Sequence, residues 1–211
     1  MVDNINIEVI KQSIIKGGSG YECNQGFPSK EGGYYIQQHP DEFAETIMLL
    51  RGLIMLRGRT FQYGVDIGLA SGGSTKILRD FVDIKHTITI DTGEHELYKH
   101  WERIKKEVKS EIVLDILGSS TSDKTRQLLG PYKGMIDLVY IDGDHTYEGV
   151  KADYMMILPF LTDKAMLIFH DSKHDHYGIK RLVNELKEDQ KVKLLKDILI
   201  HDGIAIFEFI K

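Results

Sequence analysis

Unbroken apolar runs of strand length, alternating with helical patterns, constrain the fold of this chain more than any other feature. The runs cover residues 63–67, 87–90, 112–116, 136–141 and 165–169. Between them, 74–81, 94–109, 123–129 and 147–161 carry apolar residues at helical spacing. A strand that is apolar along its whole length has no face to give to water. The alternation therefore predicts a mostly parallel sheet buried under helices on both sides. Right-handed crossovers make such a sheet doubly wound, an α/β fold of Rossmann-like type. The end of the chain departs from this rhythm. A helical stretch over 178–188 precedes apolar runs at 192–200 and 204–210, joined through His201-Asp202-Gly203. Asp-Gly between two apolar runs predicts a hairpin, which would finish a seven-stranded sheet with an antiparallel pair.

Ahead of the first strand lies a prelude. Residues 5–15 have helical spacing, Gly17-Gly18-Ser19-Gly20 interrupts it, and 21–39 is rich in glycine and aromatics. Asp41 then reads as the N-cap of a helix through Phe43, Ile47, Leu50 and Ile54 toward Arg57. We accordingly divide the chain into a helical prelude and cover over 1–58 and one globular unit over 59–211. The apolar helix from Phe43 to Leu56 offers a surface for self-association.

Composition limits the setting. The net charge of −5 over 211 residues argues against a partner held through phosphate contacts, so no nucleic acid is expected. The basic residues Lys99, Arg103, Lys105, Lys106 and Lys109 alternate with Glu102, Glu107 and Glu111, as on a solvated helix face. Cys23 is the single cysteine, and no apolar stretch reaches the roughly 18 residues that a bilayer demands. Residues 1–20 lack the pattern of a secretory leader. The expectation is a cytoplasmic protein without membrane partners.

The first strand-to-helix turn reads Val65-Asp66-Ile67-Gly68-Leu69-Ala70-Ser71-Gly72-Gly73-Ser74. Glycines there let the backbone come close to a ligand, and the helix beyond opens with unpaired N–H groups. Asp66, on the strand before the loop, would repel a pyrophosphate but suits an ammonium. Asp91 ends the next strand, where its carboxylate can accept from ribose hydroxyls. Acid, glycine loop and acid at successive strand ends favour a positively charged adenosyl ligand.

The fourth strand ends in Asp142-Gly143-Asp144-His145 and the fifth in His170-Asp171. Ligand sites of open α/β sheets lie at the carboxyl ends of the strands, so these groups should flank one crevice. Asp142, His170 and Asp171 offer two oxygens and a nitrogen to a divalent metal, with Mg²⁺ or Mn²⁺ favoured by the carboxylates and Fe²⁺ or Zn²⁺ allowed by the imidazole. A metal acidifies a bound hydroxyl, and His145 is placed to take its proton, with Asp144 the second candidate. His174 and His176 read as solvated loop residues.

These motifs resemble the class I methyltransferases of the macrocin O-methyltransferase and cephalosporin hydroxylase-like family, from about Gly33 to the C-terminus. The most specific piece is Tyr140-Ile141-Asp142-Gly143-Asp144-His145-Thr146-Tyr147-Glu148-Gly149-Val150-Lys151-Ala152-Asp153. Gln37-Gln38-His39-Pro40-Asp41-Glu42-Phe43-Ala44 resembles the family's lead-in helix, and the terminal hairpin its sheet. The resemblance implies S-adenosylmethionine as methyl donor, held by Asp66, Gly68, Gly72 and Asp91, with Ala70, Ser74 and Ser119 as further candidate contacts. It implies metal at Asp142, His170 and Asp171, His145 as base, and a cover formed by 21–39. Two positions depart from the pattern: Ala70 stands where the family usually has glycine, and Ser119 where an acidic residue commonly contacts adenine.

The reading is therefore a metal-assisted O-methyltransferase acting on a small hydroxylated acceptor, a sugar or a secondary metabolite. Against it stand a hydroxylase-like oxidoreductase of the same family, a nicotinamide enzyme, and a cofactor-binding protein without catalysis. Asp66 and the hairpin speak against the nicotinamide.

Overall fold

The computed structural model describes residues 5–18 and 33–211. Cys23 and residues 21–32 of the expected cover lie outside them. The seven strands are β1 (Phe61–Ile67), β2 (Ile84–Asp91), β3 (Glu111–Leu117), β4 (Ile136–Ile141), β5 (Leu161–His170), β6 (Val192–Ile198) and β7 (Ile204–Phe209). They form one sheet in the order β3-β2-β1-β4-β5-β7-β6. β1 to β5 are parallel, and β7 runs antiparallel between β5 and β6. This is the doubly wound, hairpin-terminated α/β sheet that the apolar runs predict.

The helices are α1 (Ile7–Lys16), α2 (Pro40–Arg57), α3 (Gly73–Phe81), α4 (Trp101–Ile104), α5 (Asp123–Leu129), α6 (Tyr147–Ile157) and α7 (Gly178–Lys187). Alternation along the buried strands splits the core in two. Val65, Ile67, Ile88, Val139, Leu167 and Phe169 pack with Leu129, Val150, Ile157 and Leu182 of α5, α6 and α7. Leu138, Tyr140, Met166, Ile168 and Ile206 pack on the other face with Ile14, Phe43, Ile47 and Ile77 of α1, α2 and α3. No helix among the described residues is long and apolar enough to cross a membrane.

Three boundaries differ from expectation, each for a local reason. The helix expected over 94–109 is broken into a 3₁₀ turn at Glu96–His100, the single α turn of α4, and a 3₁₀ turn at Lys105–Glu107. Tertiary packing overrides its helical charge pattern. Trp101 is fully buried, donates its indole N–H to Asp115 at 3.1 Å, and lies where a Cβ on Gly72 would be. α6 stops at Ile157 because Pro159 cannot continue it, and a 3₁₀ turn at Leu158–Phe160 leads directly into β5. α2 is capped by His39, whose Nδ1 accepts from Asp41 N–H, with Pro40 at the first helical position; Asp41 is thus inside the helix.

α2 also holds the end of the chain. Glu42 is completely buried and accepts the backbone N–H groups of His201, Asp202 and Gly203 at 2.6, 3.1 and 3.0 Å. That carboxylate fixes the β6–β7 turn, and Asp202 with it, against the carboxyl ends of the strands.

Candidate active site

Strand register alone brings the chemistry into one row. Ile67 pairs with Ile90 on one side and Ile141 on the other, and Ile141 pairs with Phe169. The next residues out, Gly68, Asp91, Asp142 and His170, therefore emerge together at the carboxyl edge. They open onto a cavity of about 670 Å³, within the usual range for a small-molecule site. Asp66, Gly68, Ala70, Ser74, Asp91, Ser119, Asp142, Asp144, His145, His170 and Asp171 all line it. Gly72 is not among the lining residues. Its φ is +83° and the Trp101 ring occupies the place of a side chain, so packing demands glycine there. Gly68, at φ +82°, likewise admits the backbone of Asp142, over which a Cβ would lie. Ala70 takes the left-handed conformation, at φ +47°, without being glycine.

Both carboxylates of the glycine-loop side already have partners. Asp66 is buried and receives Arg79 Nη1 from α3 at 2.9 and 2.6 Å. Arg79 is itself buried and donates through Nε to Thr87 at 3.0 Å, while its Nη2 has no partner. The charge of Asp66 is thus paired with Arg79 within the fold, while the residue itself stands in the cavity wall. Asp91 accepts from Leu69 N–H at 2.7 Å and from Gly93 N–H at 2.6 Å, holding the glycine loop and its own turn in place. Ser119 is engaged with the Thr121 hydroxyl at 3.1 Å on the exposed rim.

At the other end, β4 and β5 bring four groups together. His170 Nδ1 lies 3.1 Å from Asp142 Oδ1 and 3.1 Å from Asp171 Oδ2. His145 Nε2 lies 3.2 Å from Asp171 Oδ2 and 3.6 Å from Asp142 Oδ1. Asp171 has φ +58°, a conformation that costs a non-glycine residue energy and that clusters at functional sites. Burial works against charge on His170, yet the adjacent Asp142 and Asp171 outweigh it and raise its pKa to about 10. The hydrogen bond to Asp142 raises that of His145. Burial likewise opposes the charge on Asp142, but His170 and His145 hold its carboxyl far below the usual range. The imidazoles supply the positive charge that two neighbouring carboxylates require.

The donor set fits a divalent metal. Asp142, His170 and Asp171 offer ligand atoms within 4.8 Å of one another, two carboxylate oxygens and an imidazole nitrogen. Asp144 is not part of this group; its Oδ1 accepts from Thr146 N–H at the start of α6. Gln38 is a member that sequence reasoning missed. Buried at 2 % exposure, it donates to Asp142 Oδ2 at 2.8 Å and accepts from the Tyr140 hydroxyl at 3.3 Å. Its segment stood out in the sequence, but nothing local revealed a partner about a hundred residues away.

Comparison with known proteins bears on this geometry. A family model described as a methyltransferase domain matches residues 65–172, from the glycine loop to the end of the β5 cluster. An uncharacterized protein of Acanthamoeba polyphaga mimivirus is 28% identical over 111 residues, 51% of this chain and 50% of that protein. The chain thus spans about half the length of that relative. Among solved structures, the O-methyltransferase from Bacillus cereus in complex with SAH is 16% identical, with a TM-score of 0.58 over 99% of this chain and 94% of the other. The O-methyltransferase TomG from Streptomyces achromogenes, involved in tomaymycin synthesis and solved with SAM, is 15% identical, with a TM-score of 0.61 over 100% and 92%. At such identities the structures speak for the fold, and the family model, which covers just over half of the chain, speaks for membership. The chain belongs to the methyltransferase family and shares the fold of these O-methyltransferase structures.

Proposed function

We propose that this protein transfers the methyl group of S-adenosylmethionine to a hydroxyl of a small acceptor, a sugar or secondary metabolite, with a divalent metal of the Mg²⁺ type beside the reacting groups. The observation that carries this reading is the convergence of Asp142, His145, His170 and Asp171 in the same cavity as the glycine loop and Asp91. The folds solved with SAM and SAH support the same donor here. A metal held by Asp142, His170 and Asp171 would supply the positive charge now drawn from the imidazoles and would acidify a hydroxyl set against it. Gln38 orients Asp142 through its amide N–H. His145, half-exposed above the two carboxylates, accepts the hydroxyl proton, and Asp171 steadies the imidazolium that results. Among the described lining residues there is no lysine or arginine, which favours a neutral acceptor over a phosphorylated or carboxylated one. The remaining contribution is positioning of donor and acceptor in line.

The test is metal uptake together with a screen for methyl acceptance. Protein stripped with chelator should take up a divalent ion in titration calorimetry, and neutral polyols should be methylated faster with that ion present. Asp142→Ala and Asp171→Ala should lose the uptake. Parental uptake in both variants would place the metal elsewhere.

A further inference from the structure

The cavity has a further buried carboxylate that the reading above leaves without work. Asp153, on the second turn of α6, is 4 % exposed yet lines the cavity beside Ser119, Ser120 and Ala152. Its Oδ1 accepts the Ser120 hydroxyl proton. No Lys, Arg or His among the described residues forms an ion pair with it. Its Oδ2 lies against Gly143, 3.5 Å from where a Cβ on that glycine would sit. A largely buried carboxylate without a charge partner is costly, and its Oδ2 is the oxygen left to meet a ligand in the cavity. Burial pushes its carboxyl up to about 6, Asp144 adds to the rise, and Ser120 alone opposes it.

Position says what would complete it. This inference rests on S-adenosylmethionine occupying the cavity. With the sulfur toward the carboxylate–imidazole cluster and the ribose toward Asp91, the base falls at the β3 end, between the loop after β3 and α6. That loop is rigidly held: Thr125 donates to the Ser119 carbonyl at 2.7 Å and Ser122 caps α5. Ser119, at the position where an acid was expected, turns to Thr121 on the rim. We infer that Asp153 reads the base, its Oδ2 accepting a hydrogen bond from the exocyclic amino group of adenine. α6 thereby supplies the acid that the β3 loop lacks. An oxygen at that ring position, as in hypoxanthine, would set acceptor against acceptor beside a buried charge.

The experiment compares S-adenosylhomocysteine with S-inosylhomocysteine by titration calorimetry, well above pH 6 so that the carboxylate is ionised. The parent should favour the adenosyl compound by about tenfold or more, the usual penalty for an unmatched buried polar group. Asp153→Asn should narrow the preference to about threefold or less, because an amide can turn its N–H₂ toward the oxygen or its C=O toward the amine. A merely structural aspartate would weaken both ligands alike and leave the ratio unchanged, which would overturn the inference. Equal binding of the two compounds to the parent would do the same, and requires no variant to fold. If S-adenosylhomocysteine itself fails to bind the parent, the donor reading falls and this inference falls with it.

Discussion

Replacing Arg79 by methionine should be among the most damaging single changes in the protein, although Arg79 does not line the cavity. The guanidinium is buried, bonded to both oxygens of Asp66 at 2.9 and 2.6 Å, and braced on Thr87. At an effective dielectric of about 20, unit charges about 3 Å apart attract by roughly 5 kcal/mol, and burial of both charges offsets much of that. The net worth of the pair is therefore modest. Breaking it from one side is different, because Asp66 would be left charged and buried, and such losses typically run to about 3–5 kcal/mol. For a chain of this size that corresponds to a fall in Tm of roughly 6–20 °C. Urea denaturation of the parent, Arg79→Met, Asp66→Asn and the double variant forms a complete cycle. The double variant should recover more than half of the loss in Arg79→Met, since the unpaired charge is gone. A loss below about 1 kcal/mol in Arg79→Met, or strictly additive costs, would refute the view that Asp66 is matched from within the fold.

Two further outcomes follow from the same geometry. His145→Ala should lower turnover by roughly a hundredfold or more once an acceptor is in hand, with donor and metal affinity close to parental; unchanged turnover would move the base to another group. Asp153 should make stability fall as pH rises. Its folded pKa of about 6 lies above the ordinary value of 3.8, so below 3.8 neither state differs, and between the two values only the native state keeps the proton. Above about 6 the loss is complete, roughly 3 kcal/mol. Relative to the parent, Asp153→Asn should gain stability as pH passes through that window in denaturant titrations, and a pH-independent difference would contradict it.

The fold was legible because apolar runs with no polar face leave a strand few places to go. The Asp202-Gly203 turn gave away the antiparallel end for a comparable reason, since few other sequences bend so tightly between two apolar strands. The metal-ligand candidates were legible because carboxylates and imidazoles at two strand ends are brought level by register, with no long-range contact to guess. What escaped was pairing at a distance. Nothing in the strand of Asp66 predicts that Arg79 will fold back onto it. The sequence does not say that Trp101 will pack on Gly72, and that same packing broke the helix expected over 94–109. Gln38 and Glu42 work at a range of 104 residues and more. Asp153 sat inside the most specific motif, but its burial beside the β3 loop became visible only in three dimensions.

The central claim is that the cavity beneath the glycine loop takes an adenosyl donor rather than a dinucleotide. Titration calorimetry of the parent with S-adenosylhomocysteine and, separately, with NAD addresses it most directly. The account predicts saturable binding of S-adenosylhomocysteine, little heat from NAD, and affinity weakened by about 1–3 kcal/mol in Asp91→Ala, which loses both the ribose acceptor and the anchor of Leu69 N–H. Saturable binding of NAD with no response to S-adenosylhomocysteine or S-adenosylmethionine would contradict it.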